Sequence, residues 1–190
     1  MIKMIGCAHG RFQPLHNEHL DYLISAMESC EHLVIGITQP DIENLSSVHN
    51  NTKRTNLQSN PLTYNERVEM LTLVFNSLGI DCRKYSFVRF YIDEPDRLFS
   101  EKISKDWVFF TTIREEWNKK KISLLQELNL NVIVLYEDYS SDRITSTAIR
   151  KKIMVGDQSW KVLVPEACSI YLEKISFHKR LRGDITLKNS

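Results

Sequence analysis

Short apolar runs alternate with stretches of helical spacing along most of the chain. Met4 to Ala8 is apolar; Gly10, Arg11 and Pro14 break the run, and Leu20, Leu23, Ile24 and Met27 then recur at helical spacing. That order predicts strand, turn, helix. His32 to Thr38 is almost continuously apolar, as a parallel strand covered on both faces must be. Further strands are predicted at Ser86 to Ile92, Trp107 to Thr112 and Asn131 to Tyr136, with a short helix from Asp96 and a longer one from Trp117 to Leu128. Asn60 to Arg67 opens a helix that runs to Leu78. Thr63 is its expected N-cap, Glu66 the capping-box partner three residues on, and Val68, Leu71, Val74, Phe75 and Leu78 the buried stripe. Strands that alternate with helices make this an α/β chain. The expected architecture is a Rossmann-like, doubly wound parallel sheet of about five strands with helices on both faces, and ligands at the carboxyl ends of the strands.

One stretch departs from this rhythm. Gln39 to Ser59 is polar and aperiodic, with His49, Lys53 and Arg54, and loops of that length are usually functional or disordered. A lid and a mobile insertion both fit it. Toward the end, Trp160 and the amphipathic helix through Ile175 read as packing, with Arg180 and Arg182 beyond them solvated.

Composition narrows the function classes. With 190 residues, 42% of them hydrophobic and 26% charged, the chain is an ordinary globular one. A formal net charge of +1 supplies no general field for nucleic acid or an acidic membrane, so any anion must be held by a local arrangement. Cys7, Cys30, Cys82 and Cys168 are far apart and form no Cys-x-x-Cys pair, so core thiols are expected rather than a metal or redox centre. No run approaches a membrane span, and a cytoplasmic address is the default expectation. Self-association into a homo-oligomer is left open.

The candidate chemistry is anion binding at two helix starts. In the first, backbone N–H groups at the end of the turn are joined by Arg11 and by His16 and His19, which are three apart and can point the same way. In the second, Arg143 to Lys152 begins a helix after the last strand. Ser146 and Thr147 are suitable caps there, and Arg150 follows on the same face.

The stretch Gly10-Arg-Phe-Gln-Pro-Leu-His-Asn-Glu-His19 resembles the start of the nucleotidyltransferase superfamily with the His-x-Gly-His signature, and most of all the archaeal-type nicotinamide mononucleotide adenylyltransferases. Ile144, Thr147 and Arg150 match the second signature of that superfamily, Ile-Ser-x-Thr-x-x-Arg, with Thr145 in place of serine. His9-Gly-Arg-Phe-Gln-Pro with Gly36 to Asp41 also resembles cytidylyltransferases that act on phosphonates. Glu18 stands where the first signature has glycine.

The resemblance implies one nucleotidyltransferase domain over residues 1–175, a polar insertion at 39–59 and a C-terminal tail at 176–190. It implies transfer of a nucleoside monophosphate from ATP or CTP to a phosphorylated or phosphonate acceptor, with pyrophosphate released and Mg²⁺ assisting. Catalytic roles fall to His16, His19 and Arg11. Nucleotide contacts fall to Gly10, Phe12, Glu18, Thr145, Ser146, Thr147 and Arg150, and acceptor contacts to Arg67, Phe99 and Arg114. Arg67 could instead pair with Glu66 or Glu69 on a solvated face. Glu18 either repels phosphate, holds Mg²⁺ or reads a base. Leu98 and Phe99 stand where the adenylyltransferases carry a stacking tryptophan, and Thr111 to Arg114 where they carry a Gly-Asn-Pro turn. A nucleotide-binding module without catalysis is the non-enzymatic alternative.

Overall fold

A computed structural model describes residues 4–41, 59–101, 103–114 and 116–183. Most of the polar stretch, residues 42–58, lies outside them. The elements are β1 (Ile5–Gly10), α1 (Asn17–Glu28), β2 (His32–Thr38), α2 (Tyr64–Ser77), β3 (Tyr85–Phe90), α3 (Pro95–Ser100), β4 (Val108–Ile113), α4 (Glu116–Glu127), β5 (Asn131–Glu137), α5 (Ser146–Val155), α6 (Glu166–Lys174) and α7 (Phe177–Arg182). The five strands form one sheet of order β3-β2-β1-β4-β5, every pair parallel. It is the Rossmann-like α/β sheet expected from the apolar runs. Among the described residues no helix is long and apolar enough to cross a membrane.

The chain divides into two compact units. The first comprises Met1–Gly10, Asp21–Thr38 and Asp81–Arg143, and so holds the sheet. One face of the sheet buries Cys7, Phe90 and Phe109 with Leu98 of α3 and Leu125 of α4. On the other face β1 lies close under Cys30, at the end of α1. A Cβ on Gly6 would fall 2.8 Å from the Cys30 sulfur and 2.4 Å from the Phe110 ring, so only glycine fits there. Gly36 plays the same part for Phe90, whose ring would lie 2.6 Å from an added Cβ.

Strands β1 and β4 pair only from Gly6 to Ala8 and from Val108 to Phe110, and then part. In the gap the Tyr22 hydroxyl accepts from the His9 N–H (3.2 Å) and donates to the Phe110 carbonyl (2.7 Å). This is the reversal of strand order at which doubly wound sheets open a crevice.

The second unit comprises Arg11–Leu20, Gln39–Ile80 and Ile144–Ser190. The capping box of α2 forms as expected, with Thr63 accepting from Glu66 and the Glu66 carboxylate accepting from the Thr63 N–H. Its buried stripe is Arg67, Met70, Leu71, Val74 and Phe75; Leu78 is 53% exposed, so the stripe is rotated from the expected one. Residues expected as tail form α7, where Phe177 and Leu181 are buried. Arg180, expected in solvent, pairs with Glu66. Cys7 and Cys168 are core thiols as expected, whereas Cys82 is exposed.

Candidate active site

In the second unit, the residues that follow β1 are fixed by backbone contacts. Phe12 takes the left-handed backbone conformation, φ 51°, and its ring is fully buried. The Gln13 side chain clasps Leu62 at both backbone groups, donating to its carbonyl (2.8 Å) and accepting from its N–H (2.9 Å). Arg67 is fully buried and donates to the carbonyls of Thr63, Arg11 and Gln39. It staples the chain leaving β1 to the chain leaving β2, and does not lie on a solvated face.

At the start of α1 the imidazoles of His16 and His19 stack with centroids 3.6 Å apart. Phe12 meets the His19 ring edge-on at 5.2 Å, so His19 is held from two sides. The His16 Nδ1 accepts the His19 backbone N–H at 3.4 Å, which leaves the proton of a neutral His16 on Nε2. An N–H donor is thereby fixed beside the helix N-terminus, where an anion is favoured.

The second motif docks onto the first at three points. Ser146 donates its hydroxyl to the Pro14 carbonyl (2.9 Å), Arg150 donates to the Gln13 carbonyl (2.6 Å), and the Ile144 N–H donates to the Glu18 carboxylate (2.7 Å). Thr145, not Ser146 or Thr147, caps α5 by accepting the Ala148 N–H. Arg150 also reaches the Thr147 hydroxyl at 3.3 Å. It is 7% exposed and forms no ion pair among the described residues. Burial pushes its pKa down from the usual arginine value.

The structure thus gathers Arg11, Phe12, His16, Glu18, His19, Thr145, Ser146, Thr147 and Arg150 in one unit. Gly10, Phe99 and Arg114 belong to the other. Gly10 closes β1, in register with Ile37. Phe99 packs against the core with the Lys105 ammonium 5.1 Å from its ring centroid. Arg114 donates to the Tyr136 hydroxyl at 3.1 Å. Sequence reasoning gives Gln13 no role, because its partner Leu62 is 49 residues away.

Two helix starts that carry imidazoles, hydroxyls and a buried arginine thus lie on a chain that builds a doubly wound α/β sheet. The model of the cytidylyltransferase-like family matches residues 7–171, and the chain belongs to that family. It is an enzyme, a nucleotidyltransferase. It is 31% identical over 178 residues to a phosphonoformate cytidylyltransferase of Streptomyces viridochromogenes, covering 94% of this chain and 95% of that one. It is 30% identical over 187 residues to a nicotinamide-nucleotide adenylyltransferase of Thermococcus sibiricus, covering 94% and 88%. Among solved structures, a bifunctional NMN adenylyltransferase/ADP ribose pyrophosphatase from Francisella tularensis shares the fold, with TM-score 0.61 and 18% identity. All of this chain is covered, and it spans 59% of the Francisella chain.

Proposed function

We propose that this nucleotidyltransferase moves a cytidylyl group from CTP to the phosphonate or phosphate of a small acid. An acceptor oxygen forms a bond to the α-phosphorus while the bond to the bridging oxygen breaks, and pyrophosphate leaves with the electron pair. The observation that carries the triphosphate part of the reading is Arg150, a buried guanidinium with no carboxylate partner among the described residues, and the cytidylyl and phosphonate parts are supported by the likeness to the Streptomyces enzyme. A buried charge without a counter-charge is costly, and a polyphosphate supplies the missing one. In this reading Arg150 and Thr147 hold the departing pyrophosphate, His16 and His19 donate to the α- and β-phosphates, and Arg11 bridges donor and acceptor. No general base is required, because the acceptor oxygen is already ionised at neutral pH. Catalysis rests on alignment and charge stabilisation.

Among the described residues no group of three or more His, Cys, Asp or Glu could hold a metal ion. In this reading Mg²⁺ would be brought by the triphosphate and would neutralise developing charge.

The acceptor side favours a small molecule. Phe99 is packed on the core, and Thr111 to Ile113 continue β4, so neither region offers an exposed ring or an amide-reading turn. The second reading, ATP with nicotinamide mononucleotide, is favoured by the likeness to the Thermococcus enzyme. Pyrophosphate release measured for CTP and ATP, each with phosphonoformate and with nicotinamide mononucleotide, separates the two. Turnover confined to ATP with the mononucleotide would overturn the first reading.

A further inference from the structure

His9 and Thr111 are two buried polar side chains near the carboxyl end of the sheet that this chemistry leaves unused. They follow Ala8 and Phe110, the last pair before β1 and β4 part. Alternation along the strands puts both on the face that carries Cys7 and Phe109. His9 is 4% exposed and Thr111 wholly buried. Among the described residues neither His9 ring nitrogen nor the Thr111 hydroxyl has a hydrogen-bond partner. The His9 ring stacks on Phe90, 4.5 Å between centroids and 10° from parallel. Gly36 makes that possible: it pairs with His9 in register, and Phe90 lies across it. A bulge in the β4–β5 pairing follows Thr111 directly, a device that re-aims side chains beside binding sites.

Packing alone does not account for this pair. Phenylalanine would stack on Phe90 and valine would fill the Thr111 site, and neither would bury unsatisfied polar atoms. Burial keeps the His9 imidazole neutral, and the Lys121 ammonium on α4 works in the same direction. The pair therefore offers one N–H and one O–H donor within the field of a cation, the complement of a carboxylate.

We infer that His9 and Thr111 form a subsite for a carboxylate on the acceptor, which makes the acceptor a phosphonic or phosphorylated acid with a second, carboxylic anion. The inference rests on the acceptor reading above and names the group that selects the substrate. The two donors are closed from solvent, so the ligand parts the surrounding side chains as it enters.

The test pairs spectroscopy with kinetics. In the ¹⁵N-histidine-labelled protein, the His9 ring signals shift on titration with phosphonoformate and stay in place with methylphosphonate. His9→Phe and Thr111→Val, the second nearly isosteric and a guard against misfolding of the first, each raise the KM for phosphonoformate about tenfold or more. The KM for CTP is unchanged. Turnover in the parent with unmoved His9 signals and parental KM in both variants overturns the subsite and leaves the transfer reading standing. A carboxylate-dependent His9 shift without pyrophosphate release supports the subsite and removes the transfer reading. Neither shift nor release removes both.

Discussion

The Glu18 carboxylate accepts a 2.7 Å hydrogen bond from the Ile144 N–H, across 126 residues of sequence. It stands where the signature has glycine, and its side chain makes a contact that glycine cannot: it ties the first turn of α1 to the residue before the cap of α5. Glu18→Gln keeps an acceptor oxygen and should stay within about threefold of the parent with either ATP or CTP. Glu18→Gly should raise the apparent KM for triphosphate about tenfold, the scale of one lost bond to a charged group. Identical donor kinetics in parent and Glu18→Gly would show that the strap does not position α5.

His19 is braced by His16 and Phe12, so its ring is an oriented donor. His19→Ala and His16→Ala should each lower turnover about a hundredfold or more, as loss of one transition-state donor does, while circular dichroism shows the native fold. An unchanged rate of pyrophosphate release in either variant would remove the assigned roles.

Arg150→Lys retains the charge and gives up the planar fork that spans the Gln13 carbonyl and the Thr147 hydroxyl. Triphosphate affinity, followed by calorimetry, should fall about tenfold with acceptor KM unaffected. An effect on the acceptor alone would mean that the second motif serves the other substrate.

His9 gives a pH signature. Its pKa in the folded chain lies well below the ordinary value of 6.5, because burial disfavours the imidazolium. The unfolded chain therefore binds the proton first. The folded state keeps its full stability above about pH 6.5 and loses about 1.4 kcal/mol per pH unit below it, down to the folded-state pKa. Urea unfolding of the parent and of His9→Phe between pH 7.5 and 5 should show the parent losing stability relative to the variant as the pH falls. Parallel profiles would show that His9 takes up its proton as readily in the folded chain as in the unfolded one.

The sheet was legible because each strand is a short apolar run, and α2 because its capping box lies within four consecutive residues. His16, His19, Thr147 and Arg150 are picked out by motif spacing, and the structure places all four in one unit. Roles that depend on distant backbone were not. Arg67 looks like a surface arginine until the Arg11 and Gln39 carbonyls are brought to it, and nothing near Glu18 announces Ile144. α7 was missed for a local reason: Ser176 enters it in the left-handed conformation without a side-chain cap, and Phe177 and Leu181 alone carry its apolar spacing.

The hydroxyl between β1 and β4 makes the mouth of the sheet a measured opening. One oxygen serves both the His9 N–H and the Phe110 carbonyl, so the strands cannot re-pair there without expelling it, nor spread without stranding two buried backbone groups. Burial holds the Tyr22 proton on to far above its ordinary range, so the gauge does not change with physiological pH. Tyr22 supplies that oxygen at the end of a rigid ring. Removal of this one atom, as in Tyr22→Phe, should therefore alter the width of the crevice while leaving every strand in its register.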